Sequence, residues 1–582
     1  MKLNNSIQKS GLLIAVCLLM SLFLTNSLLA DDDVLVRALN DEMGRSLTGL
    51  KLEDNDPPYY MGYVVNLENN CSITAEYGSI INCDCTQANQ AFLDLRVGSY
   101  QFDNSNVLSG FRGLGMETIN LPRDLEYSTI RKTVWLADDQ AYKDAVEALA
   151  LKTAILQSQI PDDTIPDLSP ADPVVSMGEL YKPQVDTTAW KTRLEKLSAM
   201  FEKYPQFNQA SIQLNTKTEN RYIINSEGTA IRHGRDVHYL FIQARAMDKS
   251  GLPVYQYDRI VVDDMKDFPN DKELQKWVQD FIDRAIEMIN AETIDDYIGP
   301  VLFTQRAAVQ AFSALFIENI SNPRKPVTPD SRYDQYLNDP KLVRKIGFRV
   351  MPDFISISDD PAMDIWNGQK LLGHYQYDDD GVPGMKINLV EDGKLRNYYM
   401  SRVPTKKFEN SNGHGRLQQS GIGAVEVVGK PANVIMTSTE THSFEELKQQ
   451  MLELCRDMDI EYGLIIDQMN FSGQPESDNM MNFFGGSSGP LPNVLNGYLV
   501  SVRDGSLKPV RSLEFINVSE RALKDILAVG DDFAASTLMF DRSFNNLASV
   551  VIPSILIEEM ELKKASFQAQ KPPIAENPYK RK

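Results

Sequence analysis

The stretch Asp378–Arg416, DDDGVPGMKINLVEDGKLRNYYMSRVPTKKFENSNGHGR, carries the clearest fold signal in this chain of 582 residues. Two turn signals, Asp380-Gly381 and Asp392-Gly393, stand on either side of the alternating run Met385–Val390. An alternating strand that ends at an Asp-Gly dipeptide is typical of a β-hairpin. We therefore predict a hairpin whose second strand covers Lys394–Met400. The acidic triplet that opens the stretch lacks the alternate spacing and terminal glutamate of a calcium loop, and it predicts an acidic turn.

Segments upstream of this stretch alternate between strand and helix patterns. Apolar-rich runs at Tyr60–Leu67, Cys71–Tyr77 and Phe92–Val97 are separated by turn residues and predict strands. Lys272–Asn290 has the apolar periodicity of a long helix. The first half is therefore predicted as an α/β domain with an antiparallel sheet and long helices.

The second half is rich in strand and turn patterns, and helices are expected only near 305–320, 443–456 and 518–528. The predicted fold class is α+β, with a β-rich C-terminal domain after the N-terminal one. Its tail is rich in proline and ends in basic residues, which predicts disorder. The predicted segments are a signal peptide (1–30), two domains (31–295 and 296–567) and the tail (568–582).

Composition and charge narrow the classes of partner. Hydrophobic residues make up 42% of the chain and charged residues 24%, as in an ordinary globular protein. The net charge of −21 opposes binding to nucleic acid or to an anionic membrane surface, because both repel it. The charge favours solubility.

Residues 1–30 are predicted to form a secretory signal peptide. Lys2 and Lys9 give a basic start, and Gly11–Leu24 is an uncharged apolar run shorter than the about 20 residues of a membrane-spanning helix. We expect cleavage after Ala30 and no stable membrane insertion afterwards. An uncleaved membrane anchor is the alternative, because Leu28 stands at the third position before the expected cleavage site, where signal peptides usually have a small residue. The expected location is periplasmic or extracellular.

The predicted location changes the interpretation of the cysteines. An oxidising compartment favours a disulfide between Cys71 and either Cys83 or Cys85, which lie within a short segment of predicted strands. The Cys-Asp-Cys spacing differs from the CxxC of zinc sites, and no histidine lies nearby. A local disulfide with spare thiols is therefore favoured over a metal site.

Several short segments, in order, carry a resemblance to a known family. They are Gly299–Leu302, the Asp378–Arg416 stretch, Met436–Thr439, Ser443–Leu447 and Pro553–Leu556. In this order the set resembles the TldD/PmbA family of zinc peptidases. The resemblance implies a TldD/PmbA-type C-terminal domain, zinc as the cofactor of active members, and pairing of two chains around an internal chamber.

Active members of that family carry an HExxxH motif on the helix that follows the Gly-Pro-Val-Leu strand, and a cysteine further on as third ligand. Aligned on the alanines of this helix, the two histidine positions hold Ser313 and Glu318, and the glutamate position holds Ala314. Serine is a poor zinc ligand and alanine is no general base. The segment Gly463–Gly486, where the cysteine is expected, contains none. We therefore predict a degenerate motif without zinc, in which Glu318 is either a remnant ligand or a solvated glutamate.

In the family, the loop that corresponds to Asn412–Arg416 lies near the cleft. The resemblance therefore makes Asp380, His414 and Arg416 candidates for ligand binding, with an ordinary turn as the alternative. The apolar segment Asn479–Phe484 lies close to the position of the missing cysteine. It is interpreted as buried packing or as an exposed contact surface.

The sequence leaves three alternative hypotheses for the function. The first is an exported, catalytically inactive peptidase homologue that binds peptides or a partner subunit, as a homodimer or a heterodimer with a related chain. An active metallopeptidase or hydrolase with a rearranged site is the second, and a cell-envelope structural protein is the third.

Overall fold

The computed structural model describes residues 33–52, 55–108, 115–158, 165–321, 324–329, 339–419, 424–470, 491–541, 546–566 and 573–581. The predicted signal peptide (1–30) and the apolar segment Asn479–Phe484 lie outside these ranges. Within them, no helix is both long enough and apolar enough to span a membrane.

A seven-stranded sheet forms the centre of the N-terminal half. Its strand order is β3-β2-β1-β5-β6, with β4 and β7 both paired to β6, and all pairs are antiparallel except β4 with β6. The strands are β1 Tyr60–Glu76, β2 Ser79–Arg96, β3 Glu117–Asn120, β4 Val175–Met177, β5 Phe207–Asn225, β6 Ala230–Met247 and β7 Pro253–Val262.

Four helices cover one face of this sheet; they are α1 Val34–Gly49, α2 Tyr127–Ser158, α3 Thr187–Ser198 and α4 Asp271–Asn290. Helix α4 begins with a capping box between Asn270 and Glu273, and its apolar face packs on the sheet through residues such as Phe281. Side chains on the opposite face of the sheet, such as Val64 and Val237, contact the C-terminal half. The N-terminal sheet thus lies between a helix layer and the second half of the chain.

The C-terminal half contains a seven-stranded sheet, a six-stranded sheet and two small hairpins. Both large sheets contribute to one extensive hydrophobic core. The strands and α-helices of the C-terminal half are β8 Asp296–Phe303, α5 Gln305–Phe312, β9 Ile355–Asp359, β10 Ile365–Trp366, β11 Gln369–Lys370, β12 Ile387–Glu391, β13 Lys394–Leu395, β14 Gly415–Gln419, β15 Val425–Gly429, β16 Asn433–Ser438, α6 Phe444–Asp457, β17 Tyr462–Met469, β18 Val494–Ser501, β19 Leu507–Val510, β20 Leu513–Ile516, β21 Ile526–Val529, β22 Ala534–Asp541, β23 Asn546–Ile552 and β24 Ile555–Lys564. The predicted α+β class with a β-rich C-terminal region is confirmed.

The hairpin at Asp392-Gly393 is confirmed, but its second strand is shorter than predicted. Strands β12 and β13 pair across these two residues, which both have positive φ. Pairing ends at Leu395 because the amides of Arg396 and Asn397 both turn back to the carbonyl of Leu389. The tyrosines and Met400 that follow enter the core without strand structure.

Two further segments differ from the expectations. The helix predicted near 518–528 is a short 3₁₀ turn, Glu520–Lys524, followed by strand β21, because Ile526–Val529 pairs with β24. In the C-terminal tail, residues 573–581 are described and include a 3₁₀ turn, Pro578–Arg581. The ring of Tyr579 stacks on Tyr77 with 5.3 Å between centroids.

The cysteines of the first sheet lie on neighbouring strands. Cys71 and Cys85 face each other across β1 and β2 and form a disulfide, with 4.1 Å between their Cα atoms. Cys83 is a free, exposed thiol on the same strand, whereas the free thiol of Cys455 is buried. Burial raises the pKa of Cys455 to about 11.

Candidate functional site

The helix that corresponds to the metal-binding helix starts directly after strand β8. Helix α5 continues into a single π-helical turn, Ser313–Ile317. Here the amide of Glu318 donates to the carbonyl of Ser313, five residues earlier. A π turn aligns residues i and i+5, and such turns are frequent at functional sites. The backbone thus has a geometry that suits a motif with ligands five residues apart.

The side chains on this turn do not suit a metal ion. The hydroxyl of Ser313 is fully buried and donates to the carbonyl of Val309 at 2.7 Å. Ala314 offers no polar atom. The carboxylate of Glu318 lies 3.4 Å from the ammonium of Lys430, whose side chain is buried. Within the described ranges, no group of three His, Cys, Asp or Glu side chains could hold a metal ion. The residues present do not fit the zinc site of the family.

Lys430 connects the π turn to the loop around His414. Its backbone amide donates to the carbonyl of His414 at 2.9 Å, while its side chain pairs with Glu318. Two of the residues singled out from the sequence, Glu318 and His414, are therefore brought to one region through Lys430. Lysine at 430 was not identified from the sequence, because its partner lies 112 residues away.

His414 lies inside the protein rather than on an exposed loop. Its Nδ1 is 2.9 Å from the carbonyl oxygen of Asn412, and its Nε2 is 3.6 Å from a carboxylate oxygen of Asp359. The ring of Tyr399 packs at 5.2 Å between centroids. Burial raises the pKa of Tyr399, and the Asp359 carboxylate adds to this shift. This arrangement fixes the histidine within the fold.

The acidic triplet forms a capped turn, as predicted. A carboxylate oxygen of Asp378 accepts from the amide of Val382, and the other accepts from Gly415. Asp380 is half-buried and accepts from the amide of Arg402 at 2.8 Å. Burial raises the pKa of Asp380 to about 6, against the opposing effect of Arg402.

The middle carboxylate of the triplet joins the two halves of the protein. Both oxygens of Asp379 lie 2.8 Å from Arg221 Nη1, on strand β5. Arg416 is 3.5 Å from the same carboxylate, and its guanidinium lies over the ring of Tyr375 at 4.4 Å. Burial raises the pKa of Asp379, but Arg221 and Arg416 outweigh it and hold the pKa well below its usual range.

The three predicted cleft residues are close in space, because the amide of Gly415, between His414 and Arg416, donates to Asp378, two residues before Asp380. All three take part in contacts within the fold, and ligand contact by Asp380, His414 or Arg416 stays a prediction. Sequence analysis missed Arg221 and Asp379 as a pair, because they are 158 residues apart.

A second feature missed from the sequence is a chain of buried amides beside helix α5. The side chain of Gln310 accepts from the amide of Met469 at 2.8 Å and donates to the hydroxyl of Tyr257 at 3.3 Å. Gln468 and Asn496 extend the chain. In the sequence, only the polar side chain of Gln310 among the apolar residues of helix α5 pointed to these hydrogen bonds. These bonds attach α5 to strands of both halves.

Comparisons with known proteins agree with this architecture. The profile of the PmbA/TldA metallopeptidase C-terminal domain matches residues 298–564. A metalloprotease of Methanocaldococcus jannaschii is 32% identical over 120 residues, and one of Archaeoglobus fulgidus is 31% identical over 116 residues. Each alignment covers 20% of this chain and only 24% of the relative. A Synechocystis metalloprotease is 23% identical over 398 residues, which is 66% of this chain and 75% of the relative.

Solved structures show the same fold over nearly the whole chain. TldE from Thermococcus kodakarensis superposes with a TM-score of 0.56 at 14% identity, covering 90% of this chain and 100% of TldE. A proposed modulator of a DNA gyrase from Thermotoga maritima gives a TM-score of 0.55 at 17% identity, covering 86% and 96%.

Fold and motif positions together define a relative of metallopeptidases. The chain belongs to the TldD/PmbA family.

Proposed function

We propose that this chain is an exported TldD/PmbA homologue that has lost peptidase activity and binds peptides or a partner subunit. The state of the motif positions carries this proposal. Ser313 is hydrogen-bonded inside its own helix, Ala314 has no functional group, and Glu318 is paired with Lys430. A zinc peptidase needs ligands for the ion and a base for its bound water, and these side chains supply neither.

The motif positions lie in a well-packed part of the fold. A π turn follows helix α5, and Gln310 anchors this helix to the neighbouring strands. A packed site without metal ligands or a base supports a role in binding rather than in catalysis. Export gives this role its location, outside the cytoplasm, and rests on the predicted signal peptide.

The partner we propose is a second copy or a related chain. The net charge of −21 opposes weak, unspecific association. A stable pair therefore needs a complementary interface of more than about 1,000 Å² in which apolar burial dominates. The resemblance assigns this interface to the β-rich C-terminal half.

Proteolysis assays test the loss of activity. The purified protein should not degrade azocasein, with or without a chelator. The variant S313H/A314E/E318H should also be inactive, because the third ligand of the family is missing as well. Chelator-sensitive degradation by the unmodified protein would refute the proposal.

Binding is tested separately with fluorescently labelled peptides from a casein digest. We expect an increase in anisotropy with no change in peptide length by mass spectrometry. Shortened peptides would instead indicate an active hydrolase. The absence of both peptide binding and a co-purifying related chain would contradict the binding role.

A further inference from the structure

Three cysteines lie on one face of the hairpin that β1 and β2 form. The register places Cys71 opposite Cys85 and Ile73 opposite Cys83. Directly opposite residues share a face of a sheet, and so do residues two apart on one strand. The β-bulge of this hairpin lies on the turn side of Asn82, so the alternation from Asn82 to Cys85 is regular. The Cys83 thiol therefore shares a face with both sulfurs of the Cys71–Cys85 disulfide.

Of these two sulfurs, that of Cys85 is the one within reach of Cys83. Residues two apart on a strand have Cα atoms about 6.8 Å apart, which is the upper end of the range that a disulfide spans. The diagonal from Cys83 to Cys71 is longer, about 7–8 Å, and exceeds this range. The geometry thus favours a bond from Cys83 to Cys85 over a bond from Cys83 to Cys71.

The three sulfurs also differ in their exposure to solvent. Cys83 is a free, exposed thiol, and Cys85 is exposed as well. Cys71 is only 7% exposed. Its neighbour on the same face, Ile73, packs in a buried cluster that includes Trp190 of helix α3. A thiol at Cys83 is therefore open to molecules in solution, whereas a thiol at Cys71 is shielded from them.

Strand β2 is held from one side only at these positions. Strand β3 pairs with β2 at Gln90–Leu93. Among the described residues, none pairs with the outer side of Ser79–Ala88. The segment that carries Cys83 and Cys85 can therefore adjust its backbone without losing hydrogen bonds on that side.

We propose that Cys71, Cys83 and Cys85 form a thiol–disulfide exchange site. The Cys83 thiolate attacks the sulfur of Cys85, the Cys83–Cys85 bond forms, and the Cys71–Cys85 bond breaks. The electron pair of the broken bond goes to the sulfur of Cys71, which takes up the proton that Cys83 has lost. One disulfide and one thiol are present before and after, so the step needs no oxidant or reductant.

The exchange decides whether an external disulfide finds a thiol to react with. While Cys71 and Cys85 are bonded, the free thiol is the exposed Cys83. Its thiolate can attack a low-molecular-weight disulfide, form a mixed disulfide and release one thiolate. Once Cys83 and Cys85 are bonded, the free thiol is the shielded Cys71. One isomer thus reacts with such disulfides and the other excludes them, whether or not the proposed loss of peptidase activity holds.

Trapping of the free thiol tests the exchange. The unmodified protein, purified without reductant, is incubated at about pH 8.5 to form thiolate, then acidified, unfolded in urea and labelled with N-ethylmaleimide. We expect label on Cys83 and also on Cys71 in peptide maps. In C83S, which lacks the attacking thiol, Cys71 should stay unlabelled. Label on Cys83 alone among the three cysteines would overturn the proposal, and label on Cys85 in place of Cys71 would contradict attack at Cys85.

The opposite face of β2 provides a matched control. Asn82 is exposed, like Cys83, but its side chain points to the other face of the hairpin. In N82C/C83S the new thiol is therefore open to reagents but turned away from Cys85, so no label on Cys71 is expected. Labelling of Cys71 in N82C/C83S equal to that in the unmodified protein would contradict a site built on one face.

The C71S variant tests the bond between Cys83 and Cys85 by itself. Glutathione disulfide is the probe: the Cys83 thiolate displaces one glutathione, and the Cys85 thiolate then displaces the second one from Cys83. The two cysteines lose two protons and two electrons, and the glutathione disulfide is reduced to two thiols. We expect mass spectrometry to find the Cys83–Cys85 disulfide without glutathione at either residue. One glutathione on each of Cys83 and Cys85 would overturn the proposal.

Discussion

Replacing Asp379 by asparagine removes one charge of the ion pair that joins the two halves. The carboxylate contacts Arg221 through both oxygens at 2.8 Å, and both side chains are fully buried. Asparagine has nearly the same shape, so the substitution changes charge with little change in packing. The variant therefore isolates the electrostatic contribution of this contact.

The size of the effect follows from what remains around Arg221. Breaking a buried ion pair costs about 3–5 kcal/mol, because the other charge is left without compensation. Here Glu219 stays 2.8 Å and Asn66 stays 2.9 Å from the same guanidinium. We therefore expect the lower end, a loss of about 3 kcal/mol in the free energy of unfolding.

Urea denaturation at neutral pH measures this loss. The matched control is R503Q, which breaks the pair between Arg503 and Glu461 at 2.9 Å. Both control side chains are exposed, so its effect should be below about 1 kcal/mol. A loss of less than about 1 kcal/mol for D379N, comparable to that of the control, would refute the reasoning.

The same pair predicts a pH dependence. Because the pKa of Asp379 is lowered in the folded protein, its contribution is present above the unfolded value, about 3.9, and is lost as the pH falls through the folded pKa. The stability difference between the wild type and D379N should therefore shrink below about pH 4. A difference that stays constant with pH would indicate a packing effect.

Three other predictions concern burial, oxidation and assembly. Burial raises the pKa of Asp138 to about 6, so its ionisation should cost about 3 kcal/mol of stability as the pH rises from about 4 to 6. D138N should remove that decline in urea titrations, and a D138N profile that still falls like the wild type would contradict it. Reducing the Cys71–Cys85 disulfide should cost about 3 kcal/mol, and mass mapping that finds both as free thiols in protein purified without reductant would contradict the pairing. Light scattering at micromolar concentration should give a dimer that survives high salt; a monomer near about 62 kDa, after loss of the signal peptide, with no related chain co-purifying, would exclude it.

Local patterns were sufficient for much of the fold. The apolar periodicity of Lys272–Asn290 predicted a helix that starts only one residue earlier, and the Asp392-Gly393 dipeptide predicted its hairpin. Tertiary contacts decided the rest. The helix expected near 518–528 is a 3₁₀ turn followed by a strand, because Ile526–Val529 gains a partner in β24 that lies far along the chain. A local sequence pattern cannot predict the pairing of β21 with β24.

The candidate site was predictable only where one residue type decides the chemistry. Ser313 and Ala314 are unsuited to a zinc peptidase wherever their side chains point. By contrast, the pairing of Glu318 with Lys430 and the burial of His414 depend on contacts between distant segments. The π turn was also invisible in the sequence, because it depends on how the helix packs.

Metal content tests the central claim, that this family member has lost its zinc site, most directly. The protein, purified without chelators and incubated with zinc, is dialysed and analysed by inductively coupled plasma mass spectrometry. An E318A variant is the control, because it removes the remaining carboxylate of the motif. We predict much less than one zinc per chain, with no difference between the two proteins. One zinc per chain in the unmodified protein, lost in E318A, would contradict the account.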